Sequence, residues 1–427
     1  MARGRRSSRG AGLGAVLIVL LLAAVIAGGF AVWRAAKRQS DAAAARRQAV
    51  QQQPSTQTSP SPEPEPASPL PEPDESLSRA VDPDVSALVE PEPEDKTVTL
   101  MALGDNLIHN TIYWSAEQPD GSYDFTPVYE EIAKVTAEYD LACINQETIY
   151  VNDPALYANY PAFGTPTQVG DALAGAGFDV VTHATNHCYD KLDTGILDTL
   201  GFWRENYPDM AVLGIHDSQE AADTIRVVEK DGIRLALLNY TYGLNYSAPA
   251  NKYMVDTLIR DEVRADLEQA ESQADFTAVF VHWGEEGQTR PSQSQRDWAQ
   301  FMADNGADLI IGSHPHVLQP LETVTASSGR EVPVFYSLGN FVSHQLTAIE
   351  MLGGMASVEL TKTDTGVAVT ACELVPTINV IIYRGYSGGF DYRPMLLRNY
   401  TEELARQHWI EGTGAEQLWS LWGEITG

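Results

Sequence analysis

The apolar run Asp308 to Ile311 breaks at Gly312 into GSHPHVLQP. A short buried strand that ends in glycine and then presents His314 and His316 across a single proline places two imidazoles on one rigid loop at the strand's carboxyl end. Two other stretches share the design. Thr277 to Glu286 (TAVFVHWGEE) ends an apolar strand in His282, and Phe178 to Asp190 (FDVVTHATNHCYD) ends one in Asn186 and His187. A chain that delivers imidazoles and an amide from three strand ends has to bring those ends together, and donors of this kind converge on a metal ion.

The same punctuation recurs along the chain. Thr97 opens TVTLMALGDN, a strand running into Gly104 and Asp105, and Leu141 to Ile144 runs into Asn145, Gln146 and Glu147. Helical periodicity is expected over Thr126–Tyr139, where Val128, Ile132 and Val135 share a face, and over Thr167–Gly175, Gly195–Glu205 and Leu258–Ala270. Strands are expected at Val180–Thr182, Ala211–Ile215 and Leu235–Leu238, the last after a hairpin signal at Asp231 and Gly232. Alternation of this kind predicts an α/β fold of layered sheet flanked by helices, with its site at the carboxyl ends of strands. After Leu346 the sequence reads as β segments (Ala356–Leu360, Val367–Leu374) and terminal helical turns, with Trp409, Trp419 and Trp422 read as packing.

Ahead of the folded part, residues 11–33 are apolar without a charge, and Arg3, Arg5, Arg6 and Arg9 precede them. That length matches the roughly 20 residues a membrane-spanning helix needs and exceeds a signal-peptide core of ~7 to 15. Residues 1–38 are therefore read as a cytoplasmic amino terminus and a transmembrane signal-anchor helix, despite basic residues on the far flank and a small-residue run, Ala42 to Ala45, that offers a cleavage site. Residues 39–95, with SPSPEPEP, PLPEPDE and EPEPED, bury too little apolar surface to fold and form an extended, disordered Pro/Glu-rich linker. The expected placement is a single-pass membrane protein whose carboxyl-terminal domain is extracytoplasmic. The formal net charge of −30 argues against a nucleic-acid partner. Cys143, Cys188 and Cys372 are too few and too scattered for a disulfide framework.

The segments GDN, NQET, ATNHCYD with GILDTL, VHWGEE with QRDWAQFMADNGADLIIGSHPHVLQPLE, and VFYSLGNFV, in that order, resemble the CapA family of poly-γ-glutamate capsule proteins. That family is similar in fold to the calcineurin-like metallophosphoesterases. The resemblance divides the folded part into a CapA-like domain over residues 96–345 and an extension of it over 346–427. It implies a layered β-sandwich of metallophosphoesterase type, with Asp105, Glu147, Asn186, His282, His314 and His316 as ligands of one or two divalent metals. It also implies His187 as the group that protonates a leaving group or stabilises the transition state, and Asp190, three residues on, is close enough in sequence to orient it. Carboxylates and imidazoles without thiolates suit Mn, Fe or Zn. One departure stands out: where the phosphoesterase pattern has a histidine two residues after the first aspartate, this chain has Leu107. His109 lies two residues beyond and is left open as a substitute.

Two functions follow from the resemblance. One is a metal-dependent hydrolase of an anionic envelope polymer such as poly-γ-glutamate. The other is a non-catalytic component that guides a capsule polymer beside synthase membrane subunits. Trp283, Gln319, Arg290 and the run Ser337 to Asn340 are further candidates for lining or supporting the site. His109, His183, His216, His344 and His408 are otherwise read as structural or solvated.

Overall fold

In β1 (Lys96–Asn106), Val98, Leu100 and Ala102 point into one apolar core and Met101 and Leu103 into another. Period-two alternation between two apolar faces is what a strand covered on both sides requires, and it recurs in β2 (Leu141–Gln146), where Leu141 and Cys143 alternate with Ala142 and Ile144. The computed structural model describes residues 96–427 apart from Ser247, Tyr386 and Ser387. The expected transmembrane helix and linker lie outside the described residues. Among the described residues no helix is long and apolar enough to cross a membrane.

After the two-stranded pair β3 (Tyr150–Val151) and β4 (Thr165–Pro166), the first sheet continues with β5 (Val180–Thr182) and β6 (Ala211–Leu213). Its order is β16-β15-β14-β1-β2-β5-β6, where β14 is Leu352–Thr363, β15 Gly366–Tyr383 and β16 Phe390–Leu396; β13 (Asn340–Val342) also pairs with β1. From β1 to β6 the strands are parallel, while β14 lies antiparallel to β1 with Lys96 opposite Lys362. The second sheet comprises β7 (Arg226–Lys230), β8 (Ile233–Thr241), β9 (Phe276–His282), β10 (Leu309–Ser313), β11 (Leu318–Thr325) and β12 (Glu331–Leu338), in the order β11-β12-β10-β9-β8-β7. β7 and β8 form the expected hairpin. Asp231 and Gly232 both have positive φ (47° and 76°), the conformation a two-residue turn between right-twisted strands demands.

The inner faces of the two sheets meet. Leu100, Cys143 and Val180 from the first share a core with Leu235, Leu237, Phe280 and Ile311 from the second. On the outer face of the first sheet lie the helices Thr126–Thr136, Gln168–Gly175 and Leu192–Asn206, contributing Ile132, Leu173 and Trp203. Against the outer face of the second lie Arg260–Gln273 and Gln293–Asp304, contributing Val263, Leu267, Ala299 and Met302. The α/β expectation holds, as four layers with each sheet bearing helices on its outer face.

The sequence reading ends one strand at Leu374, ahead of Pro376, but β15 runs on to Tyr383. Pairing of Thr377–Tyr383 with β16 carries it past the proline. The carboxyl-terminal tryptophans are not all packing residues. Trp422 packs against the inter-sheet core, whereas Trp419 is exposed and Trp409 stays 42% exposed while lying parallel to the His344 ring.

Candidate metal centre

Within each sheet the strands that carry candidate ligands run parallel, and contacts between Asp105 and the loop after β10 bring the two sets of carboxyl ends together. Asp105 ends β1 and Glu147 follows β2. Asn186 and His187 lie in the loop after β5, His282 ends β9, and His314 and His316 follow β10. All are buried. Asp105 ties one sheet to the other: its carboxylate accepts from the His314 backbone N–H (3.3 Å to either oxygen) and lies 3.0 Å from His316 Nδ1.

The backbone is shaped for this approach. At Gly104 a Cβ would fall 1.9 Å from the Gly339 carbonyl oxygen, the same oxygen that accepts from the Asp105 N–H at 2.9 Å. Only glycine permits that contact. His314 and His316 have positive φ (96° and 58°), which side-chain-bearing residues seldom adopt and which marks a loop held by its surroundings. Part of that hold comes from Asn340, whose Nδ2 donates to the His316 carbonyl (3.2 Å), and from Ser337, whose hydroxyl donates to the Val317 carbonyl (2.8 Å). The run Ser337 to Asn340 thus supports the histidine loop.

Glu147 is 1% exposed, and neither carboxylate oxygen has a hydrogen-bond partner. Its Oε1 lies 3.8 Å from His282 Nε2 and 3.7 Å from His316 Nε2. Those separations are too long for hydrogen bonds. They are close to the spacing of about 3.3 Å between donors that sit ~2.0 Å from one tetrahedral ion. A buried carboxylate without a hydrogen bond is costly, and a cation among these donors removes the cost. Burial pushes the Glu147 carboxyl well above its usual range, against the pull of His316, with Asp105 and Glu286 adding to the rise. Burial also opposes charging the His316 ring, but Glu147 and the hydrogen-bonded Asp105 outweigh it and lift that ring to about 10. Burial holds His282 well below the ordinary histidine value and His314 down to about 3, so both are neutral donors.

Asp105, Glu147 and His316 offer ligand atoms within 4.8 Å of one another. His282 Nε2 lies 2.9 Å from Asn186 Oδ1, so amide and imidazole face one point, while its Nδ1 meets the Ser313 hydroxyl at 2.9 Å, an outer contact of the kind that orients a ligand histidine. A buried network lies beneath: Asn145 Nδ2 donates to Asp105 (2.8 Å), Thr182 donates to Asn145 (2.9 Å), and Thr185 donates to the Glu147 carbonyl (2.8 Å).

His187 and Asp190 are paired. His187 Nδ1 lies 2.6 Å from Asp190 Oδ2, which also accepts from the Phe163 backbone N–H (2.7 Å), so Nδ1 carries the proton and donates. Nε2 is left to accept, and Asn245 Nδ2 lies 3.2 Å from it. The Phe163 ring meets the imidazole edge-on at 4.7 Å.

Other sequence candidates fall elsewhere. Leu107 is buried and donates its N–H to Val342. His109 joins no group of converging ligand atoms among the described residues; its Nδ1 accepts from the His344 backbone N–H. Trp283 is buried, with its indole N–H on the Tyr336 carbonyl. Gln319 is buried and bonded to Gln288 and Gln295, so it is not placed to meet a substrate. Arg290 donates to the Glu424 and Ile425 carbonyls of the last helix. Cys143 and Cys188 are buried, and burial pushes both thiols upward.

The sequence reading misses Asn245, Tyr242 and Glu286. Tyr242 packs its ring 4.6 Å from that of His314, and Glu286 offers a carboxylate oxygen within 4.8 Å of ligand atoms of His314 and His316. Glu286 carries a signal, a second acid between two glycines behind a strand-ending histidine. Asn245 carries none.

Over residues 99–345 the chain matches the family described as Bacterial capsule synthesis protein PGA_cap. It is 34% identical over 175 residues to the PGA biosynthesis protein CapA of Bacillus subtilis (strain 168), covering 40% of this chain and 44% of that protein. To the capsule biosynthesis protein CapA of Bacillus anthracis it is 33% identical over 180 residues, covering 41% and 42%. The matched stretch spans less than half the length of these curated relatives. Among solved structures, the calcineurin-like phosphoesterase YfkN from Bacillus subtilis is similar at a TM-score of 0.38 and 13% identity, with 66% of this chain and 90% of that one covered. A hypothetical protein from Thermus thermophilus is similar at 0.40 and 15%, covering 65% and 98%. Likeness that remote carries no argument about chemistry. The family match takes in more than half of the chain and every candidate ligand, and the chain belongs to the bacterial capsule synthesis protein family PGA_cap.

Proposed function

We propose that this protein is a membrane-anchored, extracytoplasmic, metal-dependent hydrolase of metallophosphoesterase type acting on an anionic envelope polymer in capsule biosynthesis. The observation that carries the reading is Glu147, whose two buried oxygens have no hydrogen-bond partner while two imidazoles face one of them. Asp105, Glu147, Asn186, His282, His314 and His316 would hold one or two ions, and this mixture of oxygen and imidazole donors suits Mn, Fe or Zn. A divalent ion held there supplies electrophilic polarisation of a substrate oxygen. The rest belongs to the chain. Asp190 fixes the His187 ring through Nδ1, leaving Nε2 as the atom that accepts the proton given up by the attacking water and delivers it to the departing group as the scissile bond breaks. Phe163 packs edge-on beside that ring and keeps bulk water from it. The relatives are named for PGA biosynthesis and capsule biosynthesis, which supports a capsule polymer such as poly-γ-glutamate as the substrate class; synthase membrane subunits as partners belong to the proposal alone.

A second reading, a polymer-guiding component without turnover, is favoured by Leu107, an apolar residue where the phosphoesterase pattern places a ligand. One experiment addresses both. The purified full chain is expected to retain a transition metal, the double variant His314→Ala/His316→Ala to lose it, and the unmutated protein to shorten poly-γ-glutamate. A chain still metal-free after incubation with Mn, Fe and Zn in turn refutes the metal reading; bound metal without cleavage of envelope polymers leaves the guiding role.

A further inference from the structure

The loop after β9 is fastened to the histidine loop at both ends. Trp283 N–H donates to the Ser313 carbonyl (3.1 Å) and Gly287 N–H to the carbonyl of Pro315 (2.8 Å), the residue between the two histidines. Between these ties the chain makes a tight turn, with Gln288 N–H on the Glu285 carbonyl (3.2 Å) and positive φ at Gly284 (100°) and Gly287 (73°). At Gly284 a Cβ would also meet the buried Gln295 side chain at 2.9 Å. A turn so constrained holds Glu286 in one place. That place is beside His314 and His316, with one ligand atom from each of the three residues within 4.8 Å of the others.

An exposed carboxylate is by itself no site. Here it lies within 4.8 Å of a ring nitrogen of His314, whose ring is buried and whose Nδ1 has no hydrogen-bond partner. A buried donor nitrogen without a partner is rare and calls for an occupant. We propose that Glu286 is a metal ligand, closing with His314 and His316 the solvent side of the centre. The assignment rests on the metal-binding reading above. It makes the ligand set of this chain include an acid delivered by a doubly tied turn of the second sheet.

The test compares the full chain with Glu286→Gln and, as control, Glu285→Gln, the exposed acid one residue away. Each is stripped with chelator, checked for an unchanged circular dichroism spectrum, and titrated with Mn²⁺ and Zn²⁺ while bound metal is counted by elemental analysis. Glu286→Gln is expected to weaken at least one equivalent by about tenfold or more, while Glu285→Gln binds as the parent does. Parent-like binding by Glu286→Gln overturns the assignment and leaves the metal reading standing. Equal weakening in both variants also overturns it, since the effect is then loop charge rather than ligation. A parent chain that binds neither metal refutes the underlying reading instead.

Discussion

Asp190 Oδ2 accepts from both the His187 ring and the Phe163 backbone, so the imidazole beside the candidate ligands is held from behind by a residue outside their set. If the proposed hydrolase reading holds, His187→Ala keeps its metal and its fold and loses roughly 10² to 10⁴ in polymer cleavage, because positioned acid-base catalysis is what that reading assigns to it. Elemental analysis and cleavage assays on the same sample check this; metal loss in His187→Ala would assign the residue to ligation. A second prediction concerns His183, buried with Nε2 accepting from the Trp203 indole at 3.1 Å and held by burial down to about 3. In the unfolded chain its ring takes up a proton below about pH 6.5, while the folded chain refuses one until about pH 3. Stability is therefore complete above the upper value and falls with pH between the two, by up to about 1.4 kcal/mol per pH unit. His183→Gln keeps an acceptor for Trp203, and its urea midpoint is expected to fall less steeply from pH 7 to pH 4.

At the scale of elements, the centre depends on where strands stop. Gly104→Ala drives a methyl into the Gly339 backbone carbonyl, which cannot swing aside as a side chain could, and is expected to cost about 3 kcal/mol and, on the metal reading, to weaken metal binding by displacing Asp105. Denaturant midpoints with metal analysis read both effects. His316 sits at φ 58°, so His316→Gly is expected to be more stable than His316→Ala by about 1 kcal/mol, both having lost the ring. Equal midpoints would show that the loop relaxes once the imidazole is gone. These strand ends are the part of the protein the sequence displays. An apolar run followed by a donor is visible in one dimension, and so Asn186, His282, His314 and His316 can be read in advance, whereas Asp105 and Glu147 stand in polar clusters at strand ends from which only the family resemblance singles them out. Contacts made from loops cannot. Asn245 reaches His187 from a stretch without periodicity, and Gln319 looks like a donor in an open site until β11 places it in a buried network. The length of β15 is hidden for a similar reason, because a distant partner strand sets it.

For the whole molecule, the proposed anchoring predicts that protease added to intact cells releases a fragment beginning near Lys96; protection until the membrane is opened would overturn that topology. The stretch that matches the family ends at residue 345, yet β14, β15 and β16 complete the first sheet beyond it. A chain cut after residue 345 is expected to lose cooperative unfolding, since β1 would lack the partner along Lys96–Leu103 and the inter-sheet core would lose Leu352, Val358, Leu360 and Ile378. The position of β1 between β2 and β14 also sets an order of events in time. The strand that carries Asp105 is the first of the domain to leave the ribosome, and its antiparallel neighbour is among the last. Closing a loop of that span is entropically slow, so the open side of β1 waits as an unpaired edge while the rest of the domain is made. If the centre takes up a metal as proposed, capture should lag behind collapse in refolding and register only when the final strands dock, so that the ion would report the last step of folding rather than act as its nucleus.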